Sequence, residues 1–315
     1  MNRRNFIRNS ALAGIGLAGI GGLSNWWLRE NGIIKLTILH TNDVHSRIDP
    51  FPTSDGKYPG LGGFARRAEM IKRIRAEEKN VLLFDSGDIF QGTPYFNYYG
   101  GELEFKLMSE MGYDAATYGN HDFDNGIEGL VKQLPHAQFP FINSNYNLSD
   151  TALEESNLVN KVFEMDGLRI GVFGLGIELE GLVNPKLYGS IRYNDPIAEA
   201  NKQAEHLKKD LNCDLVICLS HLGYDYNSEK YNFNVERVCD KHVALNSQNV
   251  DIILGGHTHT FLDSPDYVVN SLGKSVMICQ VGWAGIKLGR IDLFFDAVER
   301  AFDGLYIAPK VSQSQ

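Results

Sequence analysis

The stretch YGNHDFDNG, residues 118–126, gathers Asn120, His121, Asp122 and Asp124 directly after the apolar-leaning DAAT. Polar groups placed against a core are costly unless something compensates them. Four other stretches carry groups of the kind that would. TNDVHS holds Asp43 and His45, DSGD holds Asp88, SHLG holds His221, and GGHTH holds His257 and His259. Taken singly, each reads more often as structure. Asp43 or Asp88 caps a turn, Gly119-Asn120 makes a tight turn, and His221 is a satisfied histidine. The D-x-H and H-x-H pairs weigh more, because alternate residues of an extended strand point the same way. Five of the nine histidines fall in these stretches, a concentration that scattered surface histidines would not produce. Imidazole and carboxylate are ligands for divalent transition metals. The neighbouring glycines let the backbone approach closely and turn sharply. Metal binding is the economical account of the set.

These groups need elements that deliver them to one place. IIKLTILHTND, NVLLFDSGD, CDLVICLSHLG and NVDIILGGHTH read as apolar strands ending in polar residues, and DAATYGNHD as a weaker one. Continuous apolar runs mark strands buried on both faces, and ligands in α/β folds sit at the carboxyl ends of such strands. FARRAEMIKRIRAEEK has helical periodicity with a charged outer face. ELEFKLMSEMG is a helix stopped by Gly112, and GIEGLVKQL and IAEANKQAEHLKKDL are two more. FPFINSNYN suggests a further strand. KVFEMDGLRIGVFGLG reads as a hairpin around Asp166-Gly167, and DYVVNSLGKSVMICQVG as one around Gly273. KLGRIDLFFD is the expected last strand, with 297–315 a short, loosely held tail. The expected fold is α/β, two packed sheets flanked by helices.

D-x-H, G-D, G-N-H-D, a lone His after a strand, and G-G-H-x-H, in this order, resemble the calcineurin-like metallophosphoesterases. ILHTNDVHS, FDSGDIFQGTP and YGNHDFDNG are similar to the 5'-nucleotidase branch in particular. The likeness covers about Lys35 to Asp296 and implies a four-layer α-β-β-α sandwich over 31–296. It implies ligand roles for two metals: Asp43, His45 and His259 for the first, Asn120, His221 and His257 for the second, and Asp88 bridging both. His121 takes the place of the family's catalytic histidine and Asp124 that of its orienting carboxylate. Asp122 stands where many relatives have Glu, and His259 where some have Gln. Paired metals in such sites lie about 3.5–4 Å apart, and a bound water's pKa falls from 15.7 to about 7. A bridging hydroxide would then attack phosphorus. Two dications against Asp43, Asp88 and hydroxide leave a positive centre for a phosphate dianion. Zn, Mn and Fe all suit these N and O ligands.

Composition bounds the rest. The chain has 315 residues and 43% hydrophobic content, enough for one large α/β domain with a core. A net charge of -9 argues against binding a nucleic-acid duplex, whose affinity rests on clustered Lys and Arg. Residues 1–30 pair Arg3-Arg4 with the short apolar run Ala11–Leu23, which is similar to a twin-arginine export signal. The run is too short to span a membrane comfortably. A periplasmic location is expected, tethered to the membrane if the segment stays uncleaved. Gly14, Gly16 and Gly19 spell G-x-G-x-x-G inside that segment, without the βαβ setting the dinucleotide fingerprint needs. Cys213, Cys218, Cys239 and Cys279 form no C-x-x-C pair and read as buried free thiols.

The expected activity is hydrolysis of a phosphorylated small molecule, with a nucleotide as the substrate the resemblance implies. The alternatives are a phosphodiesterase acting on 2',3'-cyclic nucleotides or nucleotide sugars, and a catalytically silent subunit that binds nucleotide or metal. Two-domain 5'-nucleotidases stack the base between aromatic rings of a second domain. Too few residues follow Asp296 to form one, so base recognition would come without it or from a separate polypeptide. The aromatic run TPYFNYYG reads as cleft lining or as rim packing.

Overall fold

Apolar runs covered on both faces become strands throughout the computed structural model, which describes residues 32–226, 237–298 and 300–312. The leader at 1–30 lies outside the described residues. Among those described, no helix is long and apolar enough to cross a membrane. The strands are β1 (Ile33–Thr41), β2 (Val81–Asp85), β3 (Ala115–Ala116), β4 (Phe141–Ile142), β5 (Tyr146–Asn147), β6 (Asn157–Leu158), β7 (Asn160–Met165) and β8 (Leu168–Gly176). There follow β9 (Arg192–Tyr193), β10 (Leu215–His221), β11 (Ile252–Gly255), β12 (Asp266–Val269), β13 (Ser275–Cys279), β14 (Gly289–Asp296) and β15 (Phe302–Ile307). One sheet has the order β15-β14-β1-β2-β3-β4-β6 and the other β12-β13-β11-β10-β8-β7, while β5 and β9 pair separately.

The sheets share an apolar layer built from Leu36, Ile38, Leu82 and Phe84 of the first and Ile170, Val172, Ile217 and Leu219 of the second, all without solvent exposure. Each such side chain contributes about 1.5–3 kcal/mol of transfer free energy. The outer face of the first sheet packs on helices Phe64–Glu77, Glu102–Met111 and Gly126–Gln133 through Met70, Phe105 and Leu130. That of the second packs on helices Pro196–Glu205 and Asp240–Asn246 through Ala200, Ala204 and Val243. The result is the four-layer α-β-β-α sandwich. β1, β2, β3 and β4 run parallel, as do β8, β10, β11 and β13. Their carboxyl ends therefore open on the same side within each sheet. Gly112 stops its helix in a left-handed conformation, its N–H bonded to the Met108 and Ser109 carbonyls. The β7–β8 hairpin turns at Asp166 (φ 49°) and Gly167 (φ 80°), as a tight primed turn requires.

The end of the chain differs from expectation. β15 pairs antiparallel with β14 from Phe295↔Phe302 to Arg290↔Ile307, so a further strand follows the one expected to be last. The fully buried Val311 donates its N–H to the Ile286 carbonyl and accepts at its own from Gly62. An uncovered β14 would leave a row of unpaired backbone groups. The strand escapes notice in the sequence because Asp303-Gly304 interrupts FDGLYI with a turn signal. The four cysteines are buried and free, as expected.

His40, in the middle of the packing on β1, is fully buried, and neither ring nitrogen has a hydrogen-bond partner among the described residues. Burial lowers its pKa to about 3. The folded state keeps it neutral, while an unfolded chain protonates it below about pH 6.5. Between those values the unfolded state holds the extra proton, so stability falls as pH falls. At pH 5 the loss relative to pH 7 is about 2 kcal/mol from this group. The variant His40→Leu is expected to lack that component. Denaturant unfolding of the metal-free protein at both pH values checks it, and an unchanged pH difference in the variant would refute the account.

Candidate metal centre

The five stretches converge at the carboxyl ends of the two sheets, but among their candidate residues only His221, the last residue of β10, lies on a strand. β1 stops at Thr41 and β11 at Gly255. Beyond them Asp43 (φ 51°), His45 (φ 47°), Asp88 (φ 55°), His257 (φ 70°) and His259 (φ 51°) all take left-handed backbone conformations. Such residues cost about 1–2 kcal/mol each unless the surroundings hold them, and they gather at functional sites. Here neighbouring loops hold them. Asp43, His45 and Ser46 donate their N–H groups to the carbonyls of Gly87, Asp88 and Ile89, which laces the two loops together past the strand ends. The Asp43 carbonyl accepts the Ala284 N–H at 2.7 Å, and its carboxylate accepts the His257 N–H at 3.0 Å. The expectation that D-x-H and H-x-H pairs point the same way because they are extended is therefore corrected. His257 and His259 point into different groups.

Asp43, His45 and His259 form one group whose donor atoms lie within 4.8 Å of one another, and Asp88, His221 and His257 form a second. In the first, His45 Nε2 is 3.0 Å from His259 Nε2, which is 3.3 Å from Asp43 Oδ1. In the second, the Asn120 Oδ1 atom sits 2.9 Å from His257 Nδ1, which adds a neutral oxygen donor. Asp88 Oδ2 lies 3.2 Å from His221 Nε2 and 3.7 Å from His45 Nε2, so this one oxygen stands where the groups meet. Gly119 makes the junction possible: a Cβ there would lie 2.2 Å from Asp88 Oδ1.

Side-chain orientation suits cation binding. His221 Nδ1 donates to the Ser86 carbonyl at 2.7 Å and His45 Nδ1 to the Phe90 carbonyl at 3.2 Å, which turns both Nε2 atoms toward the donor groups, where a cation would take the place of a proton. His221 Nε2 is buried and close to Asp88, yet off the direction of a hydrogen bond. Donor atoms bound to one ion at 2.0–2.2 Å lie about 3–3.5 Å apart, the spacing seen here. The charges say the same. Burial alone would raise the Asp88 carboxyl and lower His221. Instead, the attraction between them holds Asp88 far below the carboxylate range and lifts His221 to about 10. His257, lowered to about 3 by burial and then by His221, stays neutral and able to ligate. A buried pair of carboxylates demands positive charge, and divalent cations fit it.

Residues 36–261 match the model of the calcineurin-like phosphoesterase family. The chain belongs to the calcineurin-like phosphoesterases. It is 34% identical over 286 residues to snake venom 5'-nucleotidase from Gloydius brevicauda, covering 84% of this chain and 46% of that protein. It is 32% identical over 287 residues to 5'-nucleotidase from Homo sapiens, covering 84% and 47%. Among solved structures, a 5'-nucleotidase precursor from Thermus thermophilus superposes with a TM-score of 0.77 at 30% identity, covering 89% of this chain and 56% of that one. The chain thus spans about half the length of the relatives it matches.

Beside the two donor groups, His121 and Asp124 lie on and just after a single 3-10 turn, His121–Phe123. The three-residue spacing brings His121 Nδ1 to 2.8 Å from Asp124 Oδ2, and this bond leads in raising the imidazole pKa. The His121 N–H donates to Asp88 Oδ1 at 2.8 Å, which ties the residue to the junction carboxylate. All nine residues singled out in the sequence come together. Sequence reasoning gave no role to two buried neighbours. Asn42 donates to Asp43 Oδ2 and to the Gly282 carbonyl, both at 2.6 Å, and so aims that carboxylate. Asp122 accepts the N–H groups of Asp88, Ile89, Phe90 and Gly119 at 2.8–3.1 Å. The only sequence signal is that each is a polar residue directly beside one already singled out, Asn42 beside Asp43 and Asp122 beside His121. Of the remaining histidines, His206 pairs with Asp210 at an exposed helix end, His136 lies 4.0 Å from Glu102, and His242 accepts the Cys239 N–H as a helix cap.

Proposed function

We propose that this chain hydrolyses phosphate esters, with nucleoside 5'-monophosphates as the substrate class. Asp43, His45 and His259 would hold one divalent cation and Asn120, His221 and His257 a second, with Asp88 within reach of both. The observation that carries this reading is the pair of donor groups meeting at the Asp88 carboxylate. The names of the similar proteins, which are 5'-nucleotidases, support the nucleotide. Bound cations would supply Lewis acidity and an activated water as nucleophile. With Asp43 and Asp88 the only carboxylates among the ligands, the centre stays net positive and receives a phosphate dianion despite a chain charge of -9. His121, its Nδ1 proton held by Asp124, turns Nε2 toward the phosphoryl oxygens and donates a proton to the leaving oxygen. Zn, Mn and Fe serve this donor set alike. The basic and apolar leader supports export to the periplasm.

The test uses the full chain loaded with Zn, Mn or Fe and assayed on AMP, p-nitrophenyl phosphate and bis(p-nitrophenyl) phosphate. Monoesters are expected to react faster than the diester. Asn120→Ala is expected to lose more than about 100-fold in rate, and calorimetry to show two ions per wild-type chain with the second weakened in the variant. Unchanged hydrolysis by Asn120→Ala would mean that the reaction occurs elsewhere.

A further inference from the structure

We infer that Trp283 is a stacking platform for the leaving group of the substrate, so that this domain by itself favours esters carrying a flat base; the inference rests on the function proposed above. Trp283 is partly exposed, and its ring runs parallel to that of His259, at 5° with centroids 5.6 Å apart. It therefore stands at the wall of the first donor group. Three other rings gather behind it: Phe51 at 5.9 Å, Tyr58 at 6.3 Å, and Phe261 at 6.2 Å from Tyr58. Cations lie over each of those three, Arg47 over Phe51, Lys57 over Tyr58 and Lys287 over Phe261. Among the described residues none lies over Trp283. Asp263 pairs with Lys287, and Asp55 accepts the Lys57 and Tyr58 N–H groups, so the cluster is an aromatic rim whose charges are largely offset, suited to a ligand that carries a π-face.

The position of Trp283 is fixed rather than incidental. Its neighbour Ala284, at φ 56°, donates to the Asp43 carbonyl at 2.7 Å. Gly282 donates to the Thr260 carbonyl at 2.9 Å and accepts from Asn42 at 2.6 Å. The ring is therefore held to the same loops that carry Asp43 and His259. A tryptophan that only walled His259 would affect every ester alike. A platform would discriminate by leaving group, because base–aromatic stacking needs only a π-face and is sequence-tolerant.

The full, metal-loaded chain is assayed on AMP and on glycerol phosphate, and the ratio of the two kcat/KM values is compared between wild type, Trp283→Leu and Tyr58→Leu. The ratio cancels any shared loss of metal. It is expected to fall about tenfold or more in Trp283→Leu, and less in Tyr58→Leu, which touches no metal ligand. In parallel, adenosine is titrated into wild type and Trp283→Leu with tryptophan emission as readout. The other tryptophans, Trp26 and Trp27, remain in both chains. Saturable quenching is expected in the wild type alone. An unchanged ratio in both variants, a wild type that accepts only glycerol phosphate, or equal quenching in the two chains would overturn the inference. Should the wild type cleave neither ester, the proposed function fails. The adenosine titration then still decides the platform, since quenching that depends on Trp283 upholds it and its absence overturns it.

Discussion

Replacing His121 by Ala is expected to lower kcat on AMP by about 10²–10⁴-fold, the usual contribution of a positioned acid–base group, while two ions per chain are still bound. The donor groups do not include His121, so their charge and geometry survive its loss. What disappears is the imidazole held at 2.8 Å by Asp124, with its pKa raised by that bond. Its proton matters most when the leaving oxygen is basic, as a ribose 5'-oxygen is. A p-nitrophenolate leaves without help, so His121→Ala should retain much more of its rate on p-nitrophenyl phosphate than on AMP. Asp124→Asn keeps the ring but weakens its orientation, and should fall between wild type and His121→Ala on AMP. Steady-state rates on both esters, with metal content measured in the same samples, check this. Equal losses on the two substrates would remove His121 from proton transfer and leave it a phosphate-contacting role.

The second large effect concerns Asp122, which meets no reacting atom. Its carboxylate accepts four backbone N–H groups, three of them from consecutive residues 88–90 and one from Gly119. That grip keeps Asp88 in its left-handed conformation beside Gly119. Asp122→Ala strands four buried donors, and losing one side of such a buried network costs on the order of 3–5 kcal/mol. With the loop released, the shared carboxylate loses its aim, and cation affinity should drop about 10–100-fold, as for supports of metal ligands generally. Asp122→Asn keeps one acceptor oxygen and should show smaller losses of both kinds. Unfolding of the metal-free chains and calorimetry of cation binding measure the two effects separately. Wild-type stability and affinity in Asp122→Ala would show that the 88–90 loop holds itself.

Much of this molecule is legible one segment at a time. The apolar runs of β1, β2, β10 and β11, the Gly112 stop and the Asp166-Gly167 turn follow from burial, backbone freedom and local hydrogen bonding, which act within a few residues. The identity of the donors follows too. Imidazole, carboxylate and amide at five strand ends already point to metal binding, because few other uses justify so many such groups beside a core, and the resemblance of the ordered motifs to a known family adds phosphoester chemistry. Other features belong to contacts between segments. The separation of His257 from His259 depends on left-handed φ values secured by Asp43, 214 residues away from the backbone N–H it accepts. The grip of Asp122 exists only because the loop after β2 arrives above it. Trp283 meets His259 because the Ala284 N–H finds the Asp43 carbonyl. β15 forms only because β14 offers it an open edge, although its own residues favour a turn. Residue type and local period decided which groups this protein brings to its chemistry. Long-range hydrogen bonds, which leave no periodic trace in one chain, decided how those groups are divided and aimed.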